Sequence, residues 1–259
     1  MKPDYTIVTD IPGDLAHKEQ LERIYSRYRF AADFCAGKDV LEVGCSCGIG
    51  LGYLARNAKA IVGTDIDERN LKNASEYYKG RSNMLFYITD AHNLSLKDKT
   101  FDVVILYETI YYLRNPEQFI KEAHRVLRGH GVLFISSVNK DWSDFNPSLY
   151  SIKYFSVPEL FGLLKGLFSK VDIYGVFSIN PRTLKVAIVS FLKRIAFSFR
   201  LIPKTMKGKK IIKKIFYGKS LFIPREITED QASYVFPEAI SLTNINKDYK
   251  IIYVMAYKT

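Results

Sequence analysis

The chain predicts an α/β protein built on a mainly parallel sheet, and three observations carry that expectation. Short apolar runs alternate with helix-patterned segments through the first half of its 259 residues. Most of those runs are continuous rather than alternating, as expected of strands covered on both faces. One of them leads into a loop of small residues that opens a helix. With 47% hydrophobic and 25% charged residues, a chain of this length can bury a sizeable core without disulfides. Disordered chains, collagens and small disulfide scaffolds are thereby excluded.

Taken in order, residues 17–35 read as an amphipathic helix that ends near Ala36-Gly37. The first apolar run, 40–43, precedes a helix over 51–57. The second, 60–63, reaches Asp65 and precedes a helix over 67–79. Runs at 84–88 and 103–106 follow, then a helix over 116–127 and a fifth run at 132–136. A helix over 157–168 and strands over 171–177 and 249–257 complete the pattern. The 71 residues between the last two strands, 178–248, are far too many for a hairpin loop. The expected organisation is therefore a sheet domain formed by 1–177 and 249–259, with 178–248 as an insertion.

The insertion also carries the charge. The chain has a net charge of +11, and residues 182–219 contain 12 basic residues and no acidic one. The remainder is nearly neutral. The region 182–202 has a helical pattern, so the insertion is expected to be an α-rich basic cap. Three cysteines, Cys35, Cys45 and Cys47, suggest a reducing, cytoplasmic setting. The start of the chain shows no apolar leader, and no stretch reaches the roughly 18 apolar residues of a membrane span. Cys45 and Cys47 lack the four-ligand set of a structural zinc site, so no metal is expected.

The most informative stretch is Glu42-Val43-Gly44-Cys45-Ser46-Cys47-Gly48-Ile49-Gly50. Its small residues allow a ligand close to the backbone, and glycine allows unusual backbone angles. Asp65, at the end of the second strand, is placed to accept hydrogen bonds from both hydroxyls of a ribose. Asp90 ends the third strand, where it could meet an exocyclic amine, with the Ala91 N–H facing a ring nitrogen. The spacing of the glycines does not match the dinucleotide fingerprint G-x-G-x-x-G. Glu42 also suits a cationic ligand better than a pyrophosphate.

These residues resemble motif I of the class I S-adenosylmethionine (SAM) dependent methyltransferases, with Ser46 in place of the middle glycine. The stretch 101–107, ending at Tyr107, resembles the family's fourth-strand motif. Residues 121–127 with Gly129-His130-Gly131 resemble the helix and turn before the fifth strand, and Ser136-Ser137-Val138-Asn139 the segment after it. The resemblance covers roughly 24–177 and implies a Rossmann-like sheet of seven strands with the last antiparallel. It implies SAM as cofactor and a cofactor site of Arg27, Glu42, Gly44, Cys45, Gly48, Asp65, Ile66, Asp90, Ala91 and Tyr107. Arg27 would meet the SAM carboxylate, and Ile66 would pack on the adenine.

The expected reaction is methyl transfer to a small molecule resembling a sugar, lipid or secondary metabolite. An oxygen acceptor needs a base. Glu108 is the first candidate, and Tyr111 and Tyr112 lie beside it; Tyr112 stands where many relatives carry histidine. In the family fold, the connection holding the insertion emerges at the carboxyl edge of the sheet, which makes 178–248 a cap over the acceptor. Its positive charge fits an anionic acceptor, peripheral contact with an anionic membrane through 182–219, or a merely solvated face. RNA methylation and a non-catalytic scaffold role are the alternatives. The fourth-strand end, Tyr107-Glu108-Thr109-Ile110, lacks the motif of adenine-N6 enzymes, which disfavours nucleic acid.

Overall fold

The computed structural model describes residues 10–148, 150–179 and 221–259. The elements in order are β1 (Leu15–Ala16), α1 (Lys18–Cys35), β2 (Asp39–Val43), α2 (Leu51–Ala55) and β3 (Ala60–Asp65). There follow α3 (Glu68–Tyr77), β4 (Met84–Ile88), β5 (Phe101–Tyr107), α4 (Pro116–Val126), β6 (Leu127–Val138) and α5 (Val157–Leu164). The last are β7 (Lys170–Ser178), β8 (Leu221–Phe222), β9 (Glu238–Ala239) and β10 (Tyr249–Tyr257). The expected 182–202 helix lies outside the described residues.

Local chemistry sets the helix ends. Asp67 and Asn115 cap α3 and α4 by accepting from the N–H groups of Arg69 and Gln118 at 3.0 Å each. Ser156 and Glu159 close a capping box at the start of α5. Along α4, Phe119, Ile120, Ala123 and Val126 fall on one face, and all four are buried. Fully burying a side chain such as Phe119 contributes roughly 1.5–3 kcal/mol.

The main sheet has the order β4-β3-β2-β5-β6-β10-β7-β9. The pairs β2–β3, β3–β4, β2–β5 and β5–β6 are parallel, and β10 runs antiparallel to both β6 and β7. The expected seven strands with the last antiparallel are present, and the two-residue β9 adds an eighth at the edge of β7. Residues from α4 and α5 join one core cluster, and those from α1 and α2 join the other. Strand order reverses at β2, with β3 on one side and β5 on the other, which opens a crevice at the carboxyl ends of these strands.

The sequence pattern missed β1, β8 and β9, which are too short to show a period. It also carried the helix beginning at 157 four residues past its end at Leu164. Residues 221–248 are laid against the sheet domain. β8 pairs with β1, and Ile223 and Ile227 are buried in the cluster containing α1 and α2. Glu226 forms ion pairs with Arg56 and Arg81, and the Val235 N–H donates to Ser26 Oγ at 3.0 Å.

Candidate active site

Three left-handed residues shape the loop after β2: Gly44 (φ +71°), Ser46 (φ +50°) and Gly48 (φ +72°). At Gly44 a Cβ would lie 2.6 Å from Thr109 Oγ1, so only glycine fits there. Ser46 adopts an unfavourable angle for a residue with a side chain. Its N–H donates to Asp65 Oδ2 at 2.8 Å, while the Asp67 N–H donates to Asp65 Oδ1 at 2.9 Å. Asp65 thus joins the two crossover loops. Burial raises its pKa against the lowering effect of those N–H donors.

Glu42 lies beneath the loop, only 1% exposed. Its Oε1 accepts from the Tyr28 hydroxyl at 2.7 Å, and its Oε2 is buried with no partner among the described residues. Burial pushes the carboxyl up to about 7, despite the Tyr28 hydrogen bond and the nearby Arg27. Tyr107 stands against Tyr28 edge to face at 5.4 Å, and its hydroxyl donates to the Arg27 carbonyl at 2.7 Å. This anchors α1 over the strand ends.

Beyond Asp65, Ile66 and Ile88 leave apolar side chains more than half exposed in the crevice. Asp90 accepts from the His92 N–H at 2.9 Å and meets His92 Nδ1 at 2.6 Å. Nε2 of the same ring accepts from the Asn115 N–H at 3.2 Å, which places the ring proton of the neutral imidazole on Nδ1. Burial disfavours the Asp90 carboxylate, but the His92 bonds hold its pKa below the usual value.

Glu108 follows β5 with φ +51°. Its N–H donates to the Ser136 carbonyl, Oε1 accepts from Ser136 Oγ at 2.8 Å, and Oε2 accepts from the Tyr111 hydroxyl at 3.0 Å. A strained backbone angle with both carboxylate oxygens held marks a side chain fixed in direction. Tyr112 reaches Ser148 Oγ at 3.5 Å rather than Glu108.

One cavity of about 1350 Å³ unites these groups. It exceeds the roughly 300–1,000 Å³ common for a single small-molecule site. Every residue expected from the sequence to touch cofactor or acceptor lines it except Gly48. Gly48 lies under the loop against Ala74, Leu51 and Tyr78. Sequence reasoning missed Arg23, Trp142, Lys250 and Tyr253 at the far end of the cavity. No spacing signal links them, since they come from α1, from the segment after β6 and from β10.

Together, a doubly wound sheet and a cavity at its switch point define a Rossmann-like α/β class of protein. A family model described as a methyltransferase domain matches residues 41–135. A probable SAM-dependent methyltransferase of Mycolicibacterium smegmatis is 33% identical over 130 residues, covering 50% of this chain and 49% of that protein. A ubiquinone biosynthesis O-methyltransferase of Parvibaculum lavamentivorans is 33% identical over 101 residues, covering 39% and 40%. The crystal structure of a SAM-dependent methyltransferase from Thermotoga maritima superposes with TM-score 0.58 at 17% identity, covering 93% and 92% of the two chains. Over residues 41–135 the chain is thus similar to the methyltransferase domains of SAM-dependent enzymes, and its fold is that of the class I structures. It spans about half the length of the first curated relatives it matches.

Proposed function

We propose that this protein transfers a methyl group from SAM to a small-molecule acceptor. The observation that supports this most is the single cavity, acidic at the β2–β4 end and rich in donors at the α1–β10 end. The acidic end suits a cationic cofactor. Asp65 would take the ribose hydroxyls, Ile66 and Ile88 the faces of the adenine, and Asp90 with the Ala91 N–H its edge. The unpartnered Glu42 Oε2 suits an ammonium group. Arg27 would meet the carboxylate, with Gly44, Cys45 and Tyr107 shaping the wall between.

When bound, SAM supplies a methyl group activated by a positively charged sulfur. The protein's own task is to align the acceptor and keep water out. A relative named as an O-methyltransferase favours a hydroxyl acceptor, sugar-, lipid- or secondary-metabolite-like. Glu108 is then the base. Ser136 and Tyr111 fix its direction, and each of its oxygens keeps a lone pair for the acceptor proton. Tyr111 and Tyr112 wall the pocket; burial raises both phenols, which makes them poor bases at neutral pH.

The insertion 178–248 is read as a cap that leaves from and returns to the carboxyl edge of the sheet. Its basic stretch, 182–219, lies outside the described residues and is proposed to face an anionic acceptor or a membrane surface. Among the described residues no helix is long and apolar enough to cross a membrane. A cytoplasmic location with peripheral membrane contact fits this reading. Calorimetric titration with S-adenosylhomocysteine, with NAD as control, tests the cofactor, and radiolabelled methyl transfer to candidate acceptors tests the activity. Binding of the first ligand alone is expected; binding of NAD, or of neither, would overturn the proposal.

A further inference from the structure

The roles above leave a group of donors at the α1–β10 end with no acceptor. Arg23 Nε, Trp142 Nε1 and Tyr253 Oη are buried without partners among the described residues, as is Arg27 Nε at the boundary with the cofactor end. All four residues line the same cavity. Tyr253 is 1% exposed, and Arg27, Arg23 and Glu108 are its charged neighbours. Buried polar groups in folded proteins nearly always have a partner, so a cluster of unmatched donors beside a cavity calls for a ligand rich in acceptors.

The charges agree. Arg23 and Lys250 share a single carboxylate, Glu19, at 2.6 and 2.7 Å. Arg27 faces Asp10 at the long distance of 3.7 Å. Arg23, Arg27 and Lys250 thus bring three cations to this end beside Glu19, Asp10 and Glu108, and the Glu108 oxygens are already engaged by Ser136 and Tyr111. Lys250 also lies over the Trp142 ring at 5.8 Å, bringing the start of β10 against the segment after β6.

We propose that this end is an anion subsite that holds a carboxylate or phosphate of the methyl acceptor. This rests on reading the cavity as a methyltransferase site. The anion takes the Tyr253 hydroxyl and the Trp142 indole N–H as neutral donors, and Arg23 and Lys250 as charged ones. Its entry draws the guanidinium groups inward from Glu19 and Asp10. The acceptor is thereby gripped by its charged end, with its reacting hydroxyl left toward Glu108.

Trp142 is the only tryptophan in the chain, so its fluorescence reports on this end of the cavity. The test titrates inorganic phosphate and, separately, benzoate at constant ionic strength, with and without S-adenosylhomocysteine; calorimetry gives the affinity of each ligand. A saturable response to either anion is expected, and which anion responds identifies the acceptor's charged group. Tyr253→Phe should weaken anion binding roughly five-fold or more while S-adenosylhomocysteine affinity stays within about two-fold. Arg23→Gln, on a different element, should act the same way. Cofactor-product binding with no saturable anion response would sink the subsite alone. Anion binding without cofactor-product binding would keep the subsite and sink the methyltransferase reading; failure of both would sink both. Unchanged anion affinity in the two variants would also overturn the subsite.

Discussion

The Ser46 N–H donates to Asp65 Oδ2 at 2.8 Å, so the loop after β2 and the end of β3 hold one another in place. Asp65→Ala removes both that tie and the proposed ribose acceptor. We expect S-adenosylhomocysteine affinity to fall roughly 10- to 100-fold, the loss of one or two hydrogen bonds to a charged group. Asp65→Asn, which keeps one acceptor oxygen, should fall between. Calorimetry measures both, and unchanged affinity would remove Asp65 from the site.

Glu42 should make stability depend on pH. Its carboxyl is held at about 7 in the fold against an ordinary 4.5, chiefly by burial. Below 4.5 it is protonated both folded and unfolded. Between 4.5 and about 7 the unfolded chain releases the proton and the fold retains it. The stability this confers is full at low pH and lost as pH rises through about 7, roughly 3 kcal/mol in all. Urea midpoints across that range should show the decline, and Glu42→Gln should flatten it. Affinity for the cationic cofactor should move the other way, rising with pH up to about 7.

Glu108→Gln should separate chemistry from binding. If Glu108 takes the acceptor proton, kcat falls roughly 10²- to 10⁴-fold. Affinity for S-adenosylhomocysteine should hardly change. Tyr111→Phe, which loosens one oxygen of Glu108, should cost less. A Glu108→Gln enzyme with normal kcat would show that Glu108 contacts ligand without moving the proton.

Gly44→Ala should damage the site through the backbone. The residue sits at φ +71°, and the added Cβ would lie 2.6 Å from Thr109 Oγ1 and 2.7 Å from its Cγ2. A left-handed alanine alone costs roughly 1–2 kcal/mol. Thermal melts should show a lower Tm, and calorimetry weaker cofactor-product binding.

Glu226→Ala tests what secures residues 221–248. It leaves Arg56 and Arg81 without a carboxylate they share, and Ile223 and Ile227 pack beside it. A loss of about 1–3 kcal/mol is expected. Limited proteolysis should cut within 221–248 sooner than in the parent protein. An unchanged cleavage pattern would mean that apolar burial holds the segment by itself.

Much of the β2–β5 half could be read from the chain because its chemistry is local. Glu42, Gly44, Asp65 and Asp90 sit at strand ends whose apolar runs announce them, so strand and site residue are found together. Gly48 shows the limit of that reading. It belongs to the motif yet supports the loop from beneath, against Tyr78. Arg23, Trp142, Lys250 and Tyr253 could not be found this way. Tyr253 alternates within β10 like any strand residue, and only the antiparallel pairing of β10 with β6 brings it opposite Ser136. Nor does any pattern reveal that Glu108 would be turned by a positive φ onto Ser136 and Tyr111.

The pairing of β1 with β8 and the bond from Val235 to Ser26 bear on how the cavity is assembled. The latter joins residues 209 apart in sequence. Closing a loop that long must wait until most of the chain has been ordered. The parallel strands and their acidic end can form early, but α1 is seated only when the returning segment clamps it. Native-state hydrogen exchange should then show 15–35 and 221–239 opening together, at lower free energy than β2, β5 and β6. The wall that selects the acceptor would be the part of the protein that breathes, hinged on a floor that stays shut.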